Sequence, residues 1–198
     1  MTEKHLSDRF SRAIEAIDAA NAADPNTITH EGKTEPKELV YGRQMSGWLI
    51  RLDPEAPEAL RLAVRAQHIR RWEIQRASYP EGRIGYLHWR KDLQDFHARV
   101  TGEILEEAGY DAEPIDRVKA LLHKARLKSD PDSQTLEDVA CLVFLEHYVA
   151  EFAAKHPEDK LVKILGQTWR KMSPKGRDTA LALALPPEAK RLVEKAVA

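Results

Sequence analysis

The spacing of apolar residues constrains the fold most, because they recur every three or four positions along most of the chain. This is the period of an α-helix with one buried face. Gly109 then stands where a helix-terminating glycine is preferred. We therefore predict a long central helix ending near Gly109. Its apolar face consists of Tyr86, Trp89, Leu93, Phe96, Val100 and Ile104.

Capping residues and first-turn prolines divide the rest of the chain into further helices. No useful strand alternation is found, and residues 21–35 read as a loop rich in turn formers. The sequence therefore predicts one all-α domain over residues 1–198, a helical bundle with helices making up more than half of the chain. The other helices are predicted from Ser7, from Pro36, from Asp53 to Trp72, from Pro114 to about Lys128, from about Thr135 to Lys155, and from Pro157, Pro174 and Pro187.

The composition is that of a water-soluble protein. Hydrophobic residues make up 42% of the chain and charged residues 32%, and no apolar run is long enough to span a membrane. The first ten residues contain no apolar signal region. Cys141 is the only cysteine, so no internal disulfide can form. These features favour a cytoplasmic location with no membrane partner.

Positive charge is concentrated in one segment of a nearly neutral chain. The net charge is −1, which makes nucleic acid an unlikely partner without excluding an RNA backbone. Residues 61–91 hold eight basic and two acidic residues, a local net charge of +6. A local excess of this kind suggests a site for an anion. Arg70, Arg71 and Arg90 are the candidate ligands, although arginines of this segment could instead pair with acids from elsewhere.

Several polar residues lie on the apolar faces of predicted helices. His68 shares a face with Leu60 and Val64, and His97 flanks the apolar seam of the central helix. A histidine on an apolar helix face is commonly a core residue whose hydrogen bonds are satisfied, and this is the structural explanation for both positions. On the sixth predicted helix Asp138, preceded by Glu137, lies among apolar residues, where an ionised carboxylate is costly unless it is paired or metal-bound. Asp138 could also be the third residue of a helix capped by Thr135.

The chemical alternative is a metal site in the helical bundle. Imidazole and carboxylate ligands from separate helices suit a divalent ion such as zinc, manganese or iron. Such an ion activates water or polarises a phosphoryl oxygen, and arginines beside it would hold an anionic substrate. The candidate metal ligands are His68, His97, Asp138 and Glu38, and the candidate catalytic residues are Glu137 and His97.

Four segments resemble one protein family. They are LAVRAQHIRRW, YPEGRIGYLHWRKDLQDFHA, LEDVACLVFLEHY and KLVKILGQTWRKMSPKG. Together they are similar to the family known as domain of unknown function 4202, and the resemblance extends from about Phe10 to Leu192. It implies no particular activity.

A more remote resemblance is to HD-domain metal-dependent hydrolases. LRLAVRAQHIRRW is similar to the helix that carries their His-Asp doublet, and the stretch from His97 to LEDVACLVFLE resembles their later helices. The resemblance implies that His68 takes the place of the doublet histidine and that Asp138 or Glu137 takes the place of the final acid. His97 and His123 fall at accessory positions. Ile69 replaces the doublet aspartate, and Glu38 stands where a first histidine is expected.

Three functional hypotheses follow. The first is a metal-dependent, HD-like hydrolase acting on a phosphorylated or otherwise anionic small molecule. A variant within this class is an iron-dependent HD-like oxygenase, since the mixed nitrogen and oxygen ligands suit iron. The alternative is a non-catalytic module that binds an anion, a nucleotide or RNA around a structural network of histidine and aspartate side chains.

Overall fold

A computed structural model describes residues 8–125, 127 and 129–197. The chain is 75% helical, which confirms the all-α class. It divides into two compact units, residues 1–126 and 127–198, and the predicted single domain stays a prediction. Over the described residues, no helix combines the length and the apolar character that a membrane span requires.

The first unit contains five helices among its described residues. Its core is built largely from α3, which packs against α1, α2 and α5, and from α4, which packs along α5. Leu60, Leu62, Val64 and Leu105 are completely buried there. The helices are α1 (Asp8–Ala22), α2 (Lys37–Leu52), α3 (Glu58–Ala66), α4 (Gly82–Glu107) and α5 (Ala112–His123).

The predicted loop over residues 21–35 is wrong in part, because most of it forms a β-hairpin. Strand β1 (Thr27–His30) pairs antiparallel with β2 (Lys33–Pro36). Glu31 and Gly32 connect them with φ angles of 49° and 76°, as a two-residue hairpin turn requires. Each strand has only four residues, and neither alternates between apolar and polar side chains, so the periodicity signal is missing.

The third predicted helix is shorter than expected. It begins at Glu58 instead of following Asp53, and it ends at Ala66 instead of Trp72. A tight turn follows, in which Arg70 adopts the left-handed conformation with φ 49°, incompatible with a continuing helix. His68 therefore lies in this turn, and the helical spacing from which its orientation was predicted does not extend to it.

The central helix α4 agrees with its predicted end. Gly109 has a φ of 90°, and its N–H donates to the carbonyl of Glu106 while the Tyr110 N–H donates to that of Leu105. This pair of bonds is the Schellman arrangement that terminates a helix at glycine. α4 thus runs for 26 residues and carries Arg90 and His97 on one rigid element.

The second unit is helical in its described part. Its first helix begins at Pro131, where the Asp130 side chain accepts a hydrogen bond from the Asp132 N–H, so the predicted cap at Thr135 is wrong. Residues Phe144–Tyr148 form a π-helical turn, which interrupts the predicted single helix over 135–155. The helices are α6 (Pro131–Val143), α7 (Val149–Ala154), α8 (Glu158–Lys171), α9 (Pro174–Leu181) and α10 (Pro187–Val197).

Candidate anion-binding site

Glu38 is held at the start of α2 by the segment that precedes the hairpin. The buried carboxylate of Asp24 accepts hydrogen bonds from the backbone and side-chain amides of Asn26, at 2.8 and 2.9 Å. Its other oxygen accepts from the backbone N–H of Glu38 at 3.0 Å. This contact satisfies one of the free N–H groups of the first turn of α2. The Glu38 side chain is then buried inside the first unit, 7% exposed.

His68 is positioned by the turn that ends α3. Ile69 is completely buried and anchors the turn, and the Arg71 N–H donates to the carbonyl of His68 at 3.1 Å. The N–H of Arg70 donates to the Oδ1 atom of buried Asn21 at 3.0 Å. Directly after His68, the turn is therefore anchored in the core by Ile69 and tied to α1 through Arg70.

The His68 ring is engaged on both edges and on one face. Its Nδ1 lies 3.3 Å from Oε2 of Glu38, and its Nε2 lies 3.3 Å from Nη1 of Arg71. Tyr41 stacks on the ring at a centroid distance of 4.0 Å. Because a guanidinium can only donate, Nε2 of His68 is the acceptor. The proton of the neutral ring is therefore on Nδ1 and points to Glu38.

His97 projects from α4 toward the same place. Its ring centroid lies 6.1 Å from that of His68, and the side chain is buried. The ring hydrogen-bonds to the backbone of Gln67, an interaction that raises the imidazole pKa and therefore identifies the carbonyl as acceptor. The Nε2 atom has no partner among the described residues. The bond to Gln67 thus uses Nδ1–H and leaves a buried lone pair on Nε2.

Burial shifts the protonation equilibria of all three side chains. It raises the pKa of the Glu38 carboxyl to about 7, against the smaller opposing effect of Arg71. Burial also lowers the pKa of His68 well below its usual value, and positive charges led by Arg71 add to this effect. The pKa of His97 is likewise lowered well below its usual value by burial, by His68 and by the charges of Arg71 and Arg90. Both imidazoles are therefore neutral at pH 7.

Of the predicted anion ligands, Arg71 contacts His68 and Arg90 acts on both imidazoles through its charge. The Arg71 guanidinium stacks over the Trp89 ring at 4.8 Å, and burial lowers its pKa. Arg90 lies close enough to lower the pKa of both His68 and His97. In the described part of the chain, neither guanidinium has a carboxylate within 4.0 Å.

Four other arginines of the basic segment have structural partners. Arg70, also predicted to bind the anion, pairs with Glu73 at 2.6 Å on the surface. Arg65 makes two hydrogen bonds to Asp18. Arg61 and Arg76 donate to backbone carbonyls. Pairing with partners inside the protein thus accounts for part of the local charge excess, as the structural alternative expected.

Asp138 and Glu137 belong to the second unit, where both are buried. The Asp138 carboxylate accepts from the backbone N–H of Ser173 at 2.8 Å, from the Ser173 hydroxyl, and from the Gln134 amide at 3.0 Å. Glu137 lies 3.5 Å from Nζ of Lys171. These bonds give Asp138 a structural role at the start of α9, because a buried carboxylate needs such donors.

The lone pairs available in the site decide whether it suits a metal ion. Both nitrogens of His68 already have partners, so His97 alone offers a free imidazole nitrogen. Within residues 8–125, 127 and 129–197, no three His, Cys, Asp or Glu side chains form a group that could hold a metal ion. Of the predicted ligands, Glu38, His68 and His97 come together in the first unit, but they do not form such a group.

Sequence reasoning did not identify the residues that hold this site together. The sequence pattern gives no signal for a site at Tyr41, and Asn21 and Asp24 fall within the predicted loop over residues 21–35. The one sequence signal is that Asn21 and Asp24 are polar residues next to a helix boundary. His123, an accessory position in the HD-like comparison, lies 3.3 Å from Asp95 and is well exposed.

Fold and site together define an all-α protein with a buried cluster of glutamate, histidine and arginine. The chain belongs to the family described as Domain of unknown function (DUF4202), whose model matches residues 11–193. This confirms the family predicted from the four sequence segments. No curated protein and no solved structure matches the chain.

Proposed function

We propose that this protein binds a phosphorylated or otherwise anionic small molecule beside Arg71 and Arg90. The observation that carries the proposal is that Arg71 contacts His68, that the charges of Arg71 and Arg90 lower the pKa of two neutral imidazoles, and that neither guanidinium has a carboxylate within 4.0 Å among the described residues. Guanidinium groups bind phosphate and carboxylate oxygens with charge-assisted hydrogen bonds. A half-buried position such as that of Arg71 strengthens these bonds, because water screens them less.

Glu38 and His68 add acid–base chemistry to this site. A carboxyl with a pKa of about 7 can take up or release a proton near neutral pH, as general acid–base catalysis requires. His68 connects Glu38 to Arg71 through its two ring nitrogens. We propose that Glu38 and His68 catalyse hydrolysis of the bound anion. In this proposal the protein is HD-like and acts in the cytoplasm. Binding without catalysis, by a non-enzymatic module, is the alternative.

The anion site is tested by thermal unfolding in phosphate and in chloride at equal ionic strength. A ligand that binds only the native state stabilises it by about 2.7 kcal/mol at a hundredfold excess over its dissociation constant. We expect phosphate to raise the melting temperature of the wild type, and Arg71→Gln and Arg90→Gln to remove most of that increase.

Arg70→Gln is the matched control for these variants. Arg70 is adjacent in sequence and carries the same charge, but it pairs with Glu73 on the surface. The phosphate effect should therefore survive in this variant. Equal melting of the wild type in both salts, or equal loss in all three variants, would contradict the proposed site.

A further inference from the structure

The hydrogen-bonding capacity of the site restricts the kind of anion that it can accept. Arg71 and Arg90 are donors, so they require acceptor oxygens from the ligand. His97 is different, because its Nε2 is a buried acceptor that lacks a donor among the described residues. A complementary ligand must therefore supply both oxygen acceptors and one hydrogen-bond donor.

In the described residues, no neighbouring side chain donates a hydrogen bond to Nε2 of His97. The Nδ1 proton of His68 is directed at Glu38, and Nε2 of His68 has no proton because it accepts from Arg71. The Oε1 atom of Gln67 is a second buried acceptor without a partner in the described residues, on the residue whose carbonyl orients His97. Two buried acceptor atoms, Nε2 of His97 and Oε1 of Gln67, thus lack a donor among the described residues.

We infer that the site selects an oxyanion that still carries a proton, such as a phosphomonoester monoanion, over one that has none. The inference rests on the proposed anion site and names its ligand class. The P–OH group of the ligand donates to Nε2 of His97 while its other oxygens accept from Arg71 and Arg90. A sulfate ester offers only lone pairs to Nε2, so this acceptor stays buried and unsatisfied, which is the costly outcome.

Methyl phosphate and methyl sulfate provide a matched pair of probes. At pH 5 methyl phosphate is mainly a monoanion with one P–OH group, because the second pKa of a phosphomonoester is about 6. Methyl sulfate has the same charge and nearly the same shape but no proton. Isothermal titration calorimetry of the wild type at pH 5 should show methyl phosphate binding about tenfold more tightly, as expected for one unsatisfied buried acceptor.

His97→Gln is the variant that isolates the selecting atom. A glutamine amide can donate as well as accept, so the variant can satisfy a sulfate ester. We expect the preference for methyl phosphate to fall to about twofold or less. Arg70→Gln should retain the wild-type preference, since its ion pair lies on the surface. Full selectivity in His97→Gln would overturn the assignment to His97.

A pH series on the wild type gives the same information without a variant. Raising the pH from 5 to 7.5 removes the ligand proton, while methyl sulfate reports any change in the protein itself. The affinity ratio of methyl phosphate to methyl sulfate should therefore fall. A ratio that stays constant or rises with pH would show that charge alone governs binding, and the inference would be wrong.

The outcomes separate this inference from the function on which it rests. Equal binding of both probes at pH 5, sensitive to Arg71→Gln, leaves the anion site standing and overturns the selection of protonated ligands. Binding of neither probe overturns both. Binding of methyl phosphate alone, lost in Arg71→Gln, supports both.

Discussion

At the scale of single residues, Glu38 and His68 show how burial changes side-chain chemistry. Glu38 faces His68 in the interior of the first unit, and its carboxyl pKa is raised to about 7 because the charged form is poorly solvated. In the unfolded chain this pKa returns to about 4.5. Between these two values the native state binds more protons than the unfolded state, so Glu38 makes stability decrease as pH rises.

Replacing Glu38 by glutamine should remove this pH dependence. Glu38→Gln keeps an oxygen that can accept from Nδ1 of His68, but it has no charge to desolvate. We expect the variant to gain about 2–3 kcal/mol relative to the wild type between pH 5 and pH 8. Urea unfolding at both values measures the gain.

Glu103→Gln is the surface control for this prediction. Glu103 pairs with Arg99 in a solvent-exposed position on α4, and such pairs contribute about 1 kcal/mol or less. Its replacement should change stability little at either pH. Stability curves of wild type and Glu38→Gln that run parallel from pH 5 to pH 8 would refute the raised pKa.

Asp138 is a structural residue by its contacts, and its replacement tests that role. In Asp138→Asn one acceptor oxygen becomes an NH₂ group that meets the donors of Ser173 or Gln134. We expect a loss of about 1–3 kcal/mol in unfolding free energy, with the phosphate effect of the first unit retained. Loss of phosphate binding with unchanged stability would instead assign Asp138 to the site.

At the scale of elements, the start of α4 depends on a glycine. A Cβ atom at Gly85 would lie 1.9 Å from the carbonyl oxygen of Pro80, so the chain can make this close approach only without a side chain. The approach lies in the first turn of α4, which begins at Gly82. α4 in turn carries Trp89, Arg90 and His97 to the site.

Gly85→Ala should therefore destabilise the first unit by about 2 kcal/mol or more and weaken phosphate binding. Gly47→Ala is the matched control, since Gly47 also lies in a helix but a Cβ atom there would meet no other atom within 4 Å. That change should stabilise the protein by up to about 1 kcal/mol, because alanine favours the helix. Thermal melts of both variants check the contrast, and equal destabilisation would contradict it.

At the scale of the whole molecule, we predict that the proposed binding is independent of a metal ion. His68 has partners on both ring nitrogens, and the described residues contain no group suited to hold an ion. We therefore expect the phosphate effect on melting temperature to persist after treatment with a chelator.

Elemental analysis of untagged protein accompanies this measurement. If chelation abolishes the phosphate effect, and zinc, manganese or iron restores it, the metal-dependent HD-like hydrolase or the iron-dependent oxygenase becomes the better explanation. Persistence of the effect in metal-free protein favours a site in which protein side chains hold the anion without a metal ion.

The sequence by itself determined the helical class, the family and the end of α4. These depend on local signals, because apolar spacing and a terminal glycine act within a few turns of one helix. It also singled out Arg71, Arg90, His68 and His97 as candidate site residues, since clustered charge and histidines on apolar faces are visible without a structure.

Only the tertiary structure decided which of these residues act together. His68 lies in a turn and not on α3, and its contact with His97 arises because that turn packs against α4. Arg70 and Arg71 are neighbours in sequence, yet one pairs with Glu73 on the surface and the other with His68 inside. The turn that separates the two arginines is held by contacts with Asn21 and Trp89, far away in the sequence, and local spacing carries no information about such contacts.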